Sequence, residues 1–147
     1  MGEEGEEKMS VERTLIVIKP DGVKRGLVGR ILARFEDRGF KITDLKMQTL
    51  TKEEAEEFYS VHVSKPFFSD LVSFITSGPI VAAILEAPSA IEVARRMIGP
   101  TNSAQAPSGT IRGDFGLGLT DNVIHASDSS ESYVKESSVI FKNLAQR

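Results

Sequence analysis

The sequence predicts a single α/β domain, and three observations carry that expectation. Apolar, β-branched runs at Thr14–Ile18, Ile80–Leu85 and Val123–Ile124 read as strands. Stripes of period 3.6 between those runs read as amphipathic helices. A chain of 147 residues, 40% apolar and 27% charged, has the size and composition of one ordinary globular core. Taken alone, alternation of strand and helix suggests a parallel sheet.

The elements follow in order. Thr14–Ile18 is a buried strand that ends in Lys19-Pro20-Asp21-Gly22, a strong turn signal. Val28, Ile31, Leu32 and Phe35 make a helical stripe that Gly39 is placed to stop. Phe40–Leu50 reads as a second strand whose imperfect alternation allows a bulge. Thr51 and Glu54 form a capping box that opens a short helix through Tyr59. Phe68, Leu71, Val72 and Ile75 mark a further helix, closed by Ser77-Gly78-Pro79.

The run Ile80–Leu85 is nearly continuous, as in a strand covered on both faces. Pro88 suits the first turn of a helix that runs to Ile98 and stops at Gly99. From Pro100 to Thr120 no periodicity holds, and a loop of that length in a compact domain is usually functional. Val123 and Ile124 give a short last strand. Asp128 and Glu131 read as a capping box for a helix to about Ser138.

Composition narrows the function classes. Glu3, Glu4, Glu6, Glu7 and Lys8 carry the whole net charge of −3, and the rest of the chain is balanced. Residues 1–10 therefore read as an acidic flexible arm and residues 11–147 as one domain. A balanced body is not a bulk-charge nucleic-acid binder, so any anion site must be built locally. No apolar run approaches the ~20 residues that span a bilayer. The absence of cysteine removes disulfides and thiolate metal sites and fits a reducing cytoplasm.

Few side chains can do covalent or acid–base chemistry near neutral pH. His125, in Asn122-Val-Ile-His-Ala-Ser-Asp128, lies between a short strand and a helix start whose free N–H groups suit an anion. An ordinary histidine, with pKa near ~6.5, is mostly neutral and nucleophilic at pH 7. Position alone leaves two readings, an active group or a packed histidine bonded to a carbonyl. His62 reads as non-catalytic.

Lys19, Arg95 and Arg112 stand where anion contacts could form. Lys19 could instead snorkel from a strand end, and Arg95 could be a solvated helix end. Arg112, in a glycine-rich loop, is harder to explain as structure. Of Phe67 and Phe68, one suits the core and the other a platform for a flat ligand. No Walker motif occurs, and Gly113-Asp-Phe-Gly-Leu-Gly118 lacks the strand context of a dinucleotide fold.

At Asn122–Asp128 the sequence closely resembles the nucleoside diphosphate kinase signature, Asn-x-x-His-Gly/Ala-Ser-Asp. Glu12–Val23, Arg25–Gly29, Lys65-Pro-Phe-Phe68, Ser77-Gly-Pro79 and Gly109–Phe115 extend the likeness over residues 12 to about 141. Ala126 takes the place of the commoner Gly. The resemblance implies a ferredoxin-like four-stranded antiparallel sheet covered by helices, rather than the parallel sheet that alternation suggests.

It also implies a reaction: ping-pong transfer of a γ-phosphoryl group between nucleoside tri- and diphosphates through a phosphohistidine. By this resemblance His125 is the nucleophile, Glu136 orients its ring, and Ser127 supports that contact. Lys19, Arg95, Thr101 and Arg112 match phosphate contacts, and Tyr59 lies close to the reacting centre. Asn122 matches the sugar-side contact, and Phe67 the ring on which the base stacks, with Leu71 beside it. Mg2+ is implied on the nucleotide phosphates rather than on protein ligands. A cytoplasmic homo-oligomer is implied, a hexamer ahead of a tetramer, with the long loop near a subunit interface and no requirement for membrane or nucleic acid. A non-catalytic regulator on the same scaffold is a second reading; the complete set of His125, Lys19, Arg95, Arg112 and Glu136 argues against it.

Overall fold

The computed structural model describes residues 10–142. The acidic arm expected at the N-terminus lies, apart from Ser10, outside the described residues. The strands are β1 (Val11–Ile18), β2 (Lys41–Gln48), β3 (Ile80–Pro88) and β4 (Ile124–Ala126). The helices are α1 (Pro20–Lys24), α2 (Val28–Asp37), α3 (Lys52–Phe58), α4 (Phe68–Ile75), α5 (Ala90–Ile98), α6 (Ile111–Phe115) and α7 (Ser130–Ile140). Single 3-10 turns occupy Ser60–His62 and Ser103–Gln105. Among the described residues no helix is long and apolar enough to cross a membrane.

The sheet order is β2-β3-β1-β4, and every pairing is antiparallel. The ferredoxin-like expectation holds, and the parallel sheet suggested by alternation is overturned. The physical reason lies in what an apolar run reports. Alternate residues of β1 enter opposite layers: Ile16 and Ile18 pack with Ile31, Phe35, Ala94 and Ile98, while Leu15 and Val17 pack with Phe58, Ile75 and Ile140. Helices cover both faces, so both faces are apolar, whatever the direction of the neighbouring strand.

Local signals placed most elements. The Thr51 box is present: Glu54 N donates to Thr51 Oγ1 at 3.0 Å, and Thr51 N donates to Glu54 Oε1 at 2.9 Å. The bulge expected in the second strand falls between Ile42 and Asp44. Four expectations change. Lys19–Gly22 is not a simple turn, because Pro20 begins helix α1. Pro88 ends β3, paired with Val11, and does not open α5. The cap of α5 comes instead from β1, where Glu12 Oε1 accepts from Ile91 N at 2.9 Å. The cap of α7 is Ser129, whose Oγ accepts from Ser132 N at 3.0 Å, and not Asp128. Finally, the long loop contains α6, capped by Thr110 Oγ1.

One close approach positions the site. Val123 adopts φ +63, a left-handed conformation costly for a β-branched residue. Its carbonyl accepts from Lys19 N at 2.8 Å, and its N–H donates to Asp21 Oδ2 at 3.2 Å. The end of β1 and the start of β4 are thereby tied together. Gly22 permits the approach: a Cβ there would lie 2.9 Å from Ile18 Cγ2 and 3.1 Å from Val123 O. Gly22→Ala should therefore lower stability by about 1–3 kcal/mol, read as a drop in the urea midpoint. An unchanged midpoint would contradict this account of the junction.

Candidate active site

The site forms where β1, β4 and α7 meet the long loop. His125 is the middle residue of β4 and lies opposite Val17 of β1, so it points into the layer that holds Phe58. Its neighbours Ile124 and Ala126 point into the other layer. The Ala126 methyl is fully buried there, which accounts for a side chain at this position of the motif.

The His125 ring is fixed from two sides. Its Nε2 lies 2.9 Å from Glu136 Oε1, and Ser127 Oγ donates to the same oxygen at 2.7 Å. A carboxylate only accepts, so in the neutral ring the proton sits on Nε2 and the lone pair on Nδ1. Nδ1 has no hydrogen-bond partner among the described residues, and the ring borders a cavity of about 320 Å³. The edge of Phe58 meets the ring at 5.1 Å and 66°. At the helix start beyond His125, Ser129 Oγ takes the N–H of Ser132, and Ser132 Oγ donates to Asp128 at 2.7 Å.

Three cations line the same cavity. Lys19 and Arg112 are only 5% and 3% exposed, and Arg95 joins them. Burial, then the charge of Arg112, brings the Lys19 ammonium down from 10.5 to about 8. Burial, then Arg95, brings the Arg112 guanidinium down to about 10, still charged at neutral pH. No carboxylate lies within ion-pair distance of these three groups among the described residues.

Neutral groups hold these cations in place. Arg112 donates to Gly99 O at 2.9 Å and to Ile124 O at 2.8 Å, and its buried Nε has no partner. Arg95 donates to Ala126 O at 3.1 Å. Lys19 Nζ donates to Asn122 Oδ1 at 2.8 Å. Asn122, 1% exposed, donates in turn to Thr101 O at 2.8 Å and to Leu119 O at 2.9 Å. It therefore ties both ends of the long loop to Lys19. The family resemblance implies only a ligand contact for it.

At the far end of the cavity Phe67 is 44% exposed, while Phe68 packs against the core. Of the two, then, Phe68 is the core ring and Phe67 the exposed one. Leu71 and Thr101 line the same space. Tyr59 is buried, and burial followed by the Glu136 charge pushes its hydroxyl well above its usual range. All the expected site residues border the cavity except Ser127, which stands behind Glu136. His62, read from sequence as non-catalytic, lies on the wall 5.5 Å from Phe67, and Leu119 and Phe58 also line it. Phe58 and Leu119 carry no local signal, because one apolar residue in a helix or loop looks like any other.

Buried cations beside a carboxylate-backed imidazole, on an antiparallel α+β scaffold, suit the transfer of a phosphoryl group. A family model described as nucleoside diphosphate kinase matches residues 12–145. The chain is 65% identical over 135 residues to a nucleoside diphosphate kinase of Hyperthermus butylicus, covering 92% of this chain and 95% of that one. It superimposes on the Aquifex aeolicus nucleoside diphosphate kinase with a TM-score of 0.89 at 50% identity, covering 92% and 98% of the two chains. With the halophilic Halobacterium salinarum enzyme in complex with CDP the TM-score is 0.87 at 43% identity, over 90% and 88%.

The chain belongs to the nucleoside diphosphate kinase family. It is a phosphotransferase that passes the γ-phosphoryl group of a nucleoside triphosphate to a nucleoside diphosphate, by the family's phosphohistidine route. Kinases of this family generally use a divalent metal.

The Lys19 pKa makes a stability prediction with a definite sign. Folded Lys19 loses its proton near pH 8, whereas the unfolded side chain holds it to about 10.5. Between those values the unfolded state binds more protons, so stability gains a rising contribution with pH. Urea unfolding at several pH values across that window should show a smaller rise for Lys19→Met than for the unaltered chain. Identical slopes would mean that Lys19 titrates normally.

Proposed function

We propose that His125 is the residue that carries the phosphoryl group, and that Nδ1 is the atom that bonds to phosphorus. The observation that carries this reading is the 2.9 Å bond from Nε2 to Glu136, which leaves Nδ1 as the nucleophile facing the cavity. In the first half-reaction the Nδ1 lone pair forms the N–P bond. The bond from the γ-phosphorus to the β,γ-bridging oxygen breaks, and the leaving nucleoside diphosphate takes that electron pair. Nε2 keeps its proton throughout, and Glu136, steadied by Ser127, offsets the positive charge that grows on the ring. In the second half-reaction a terminal oxygen of the acceptor diphosphate bonds to phosphorus, and the N–P bond breaks with its electron pair returning to Nδ1.

Lys19, Arg95, Arg112 and Thr101 are assigned to the phosphate chain, with Tyr59 beside the reacting centre. Such transfers depend mainly on positioning and on charge spread over the equatorial oxygens. Phe67 is assigned to base stacking with Leu71 beside it. A platform without base-edge contacts tolerates every base. Asn122 is assigned to the sugar side and, through its bonds, to holding Lys19. The metal we assign as Mg2+. The donors lining the cavity are suited to phosphate, and no group of three His, Asp or Glu able to hold an ion occurs among the described residues. The ion would ride on the phosphate oxygens, where it neutralises charge when bound.

We further infer one domain over residues 11–147 with an acidic arm over 1–10, and a cytoplasmic homo-oligomer, hexamer ahead of tetramer, that needs no nucleic acid. Sedimentation measures the assembly.

Incubation with γ-labelled ATP and Mg2+ should yield an acid-labile, alkali-stable label. It should be absent from His125→Ala and chased onto added nucleoside diphosphate. Acid-stable label, or turnover without His125, would overturn the assignment. Arg112→Ala should lower kcat by roughly 100-fold or more while still melting in one cooperative transition, its midpoint lowered by loss of the bonds to Gly99 O and Ile124 O. A kcat within about twofold of the unaltered enzyme's would confine Arg112 to a structural role.

A further inference from the structure

Helix α6 carries Arg112 but is only five residues long, Ile111–Phe115. A helix of one turn cannot hold its own orientation, so tertiary contacts must set where Arg112 points. Arg112 and Asp114, two residues apart, project from opposite sides of that turn. On the inner side Arg112 reaches the cavity. On the outer side one residue of α2, Arg34, grips the segment in three ways.

Arg34 Nη2 lies 2.7 Å from Asp114 Oδ2, and its Nη1 donates to Gly109 O at 3.2 Å. Its guanidinium carbon sits 4.8 Å from the centroid of the Phe115 ring. Asp114 is itself tied back, because Oδ1 accepts from Gly109 N at 3.0 Å. Arg34 borders a separate surface cleft with Gly109 and Asp114 and does not line the nucleotide cavity. An isolated pair this exposed would contribute little to stability. A planar fork that bridges a carboxylate, a carbonyl and a ring of one short segment instead fixes that segment's orientation.

We propose that Arg34 is a positioning residue for phosphoryl transfer: from outside the cavity it holds α6 so that Arg112 meets the transferring group. This rests on the role given to Arg112 above. Displacement of a charged donor by about 1 Å can cost up to about 100-fold in rate. Arg34→Ala should therefore lower kcat by about tenfold while the nucleotide KM changes less.

The test is a kinetic double-mutant cycle with ATP and an acceptor diphosphate, on the full chain, with thermal melting as the check on folding. Arg34→Ala should slow the unaltered enzyme but have no further effect in the Arg112→Ala background, because it acts through Arg112. A general structural role would slow both backgrounds by the same factor and would overturn the proposal. The charge-swapped pair Arg34→Asp with Asp114→Arg should recover part of the loss that Arg34→Asp causes alone. Should Arg34→Ala not fold, Arg34→Lys, which keeps the charge and loses the fork, is read in the same cycle with the same two outcomes. If Arg112→Ala turns over at the unaltered rate, the role of Arg112 itself fails. If Arg112→Ala is slow and Arg34→Ala stays within about twofold of the unaltered rate, the positioning role alone fails.

Discussion

Two buried cations, Lys19 and Arg112, share one cavity with no carboxylate in ion-pair range among the described residues. Burial lowers the proton affinity of both, with Arg112 adding to the effect at Lys19 and Arg95 adding to it at Arg112. Much of the surrounding structure exists to hold them in that state. Neutral oxygens satisfy their donors without cancelling their charge: Asn122 Oδ1 for Lys19, and the carbonyls of Gly99 and Ile124 for Arg112. Their direct hydrogen bonds go to neutral oxygens, and Asp21 and Asp121 act on Lys19 only from beyond ion-pair distance.

His125 obeys the opposite rule. It does have a carboxylate partner, Glu136, at Nε2. Ser127 donates to the same oxygen, so this acceptor is oriented as well as charged. The two arrangements are complementary. Cations bonded to neutral oxygens suit a polyphosphate, and an imidazole with a carboxylate behind it can carry positive charge. Strand β4, only three residues long, lies between them: Arg112 bonds to Ile124 O, Arg95 to Ala126 O, and His125 projects from the middle.

Much of this was legible in the residues. The helices at Val28, Lys52 and Phe68 followed from period and caps, because such signals act within one turn. The ordered motifs around His125, Arg112 and Phe67 brought the family, and with it the antiparallel sheet. What failed locally did so for a physical reason. The α5 cap comes from Glu12, 79 residues before the N–H it accepts from, and no window of sequence contains both. Asp128 and Ser129 are both good caps, and only the backbone path out of β4 selected Ser129. Helix α6 was hidden because a five-residue helix in a glycine-rich loop is held by distant Arg25 and Arg34.

By itself the sequence determined the chemistry present: one histidine in a signature, three cations, an aromatic pair, and no thiol. Those are properties of residue type and order. Only the tertiary structure decided which ring nitrogen is free, which cations are desolvated, and that Asn122 ties Lys19 to both ends of the loop. Hydrogen-bond direction, burial and charge separation depend on distances between residues up to 103 positions apart, as in the Lys19–Asn122 bond. Those distances are set by the sheet, not by any local run of the chain.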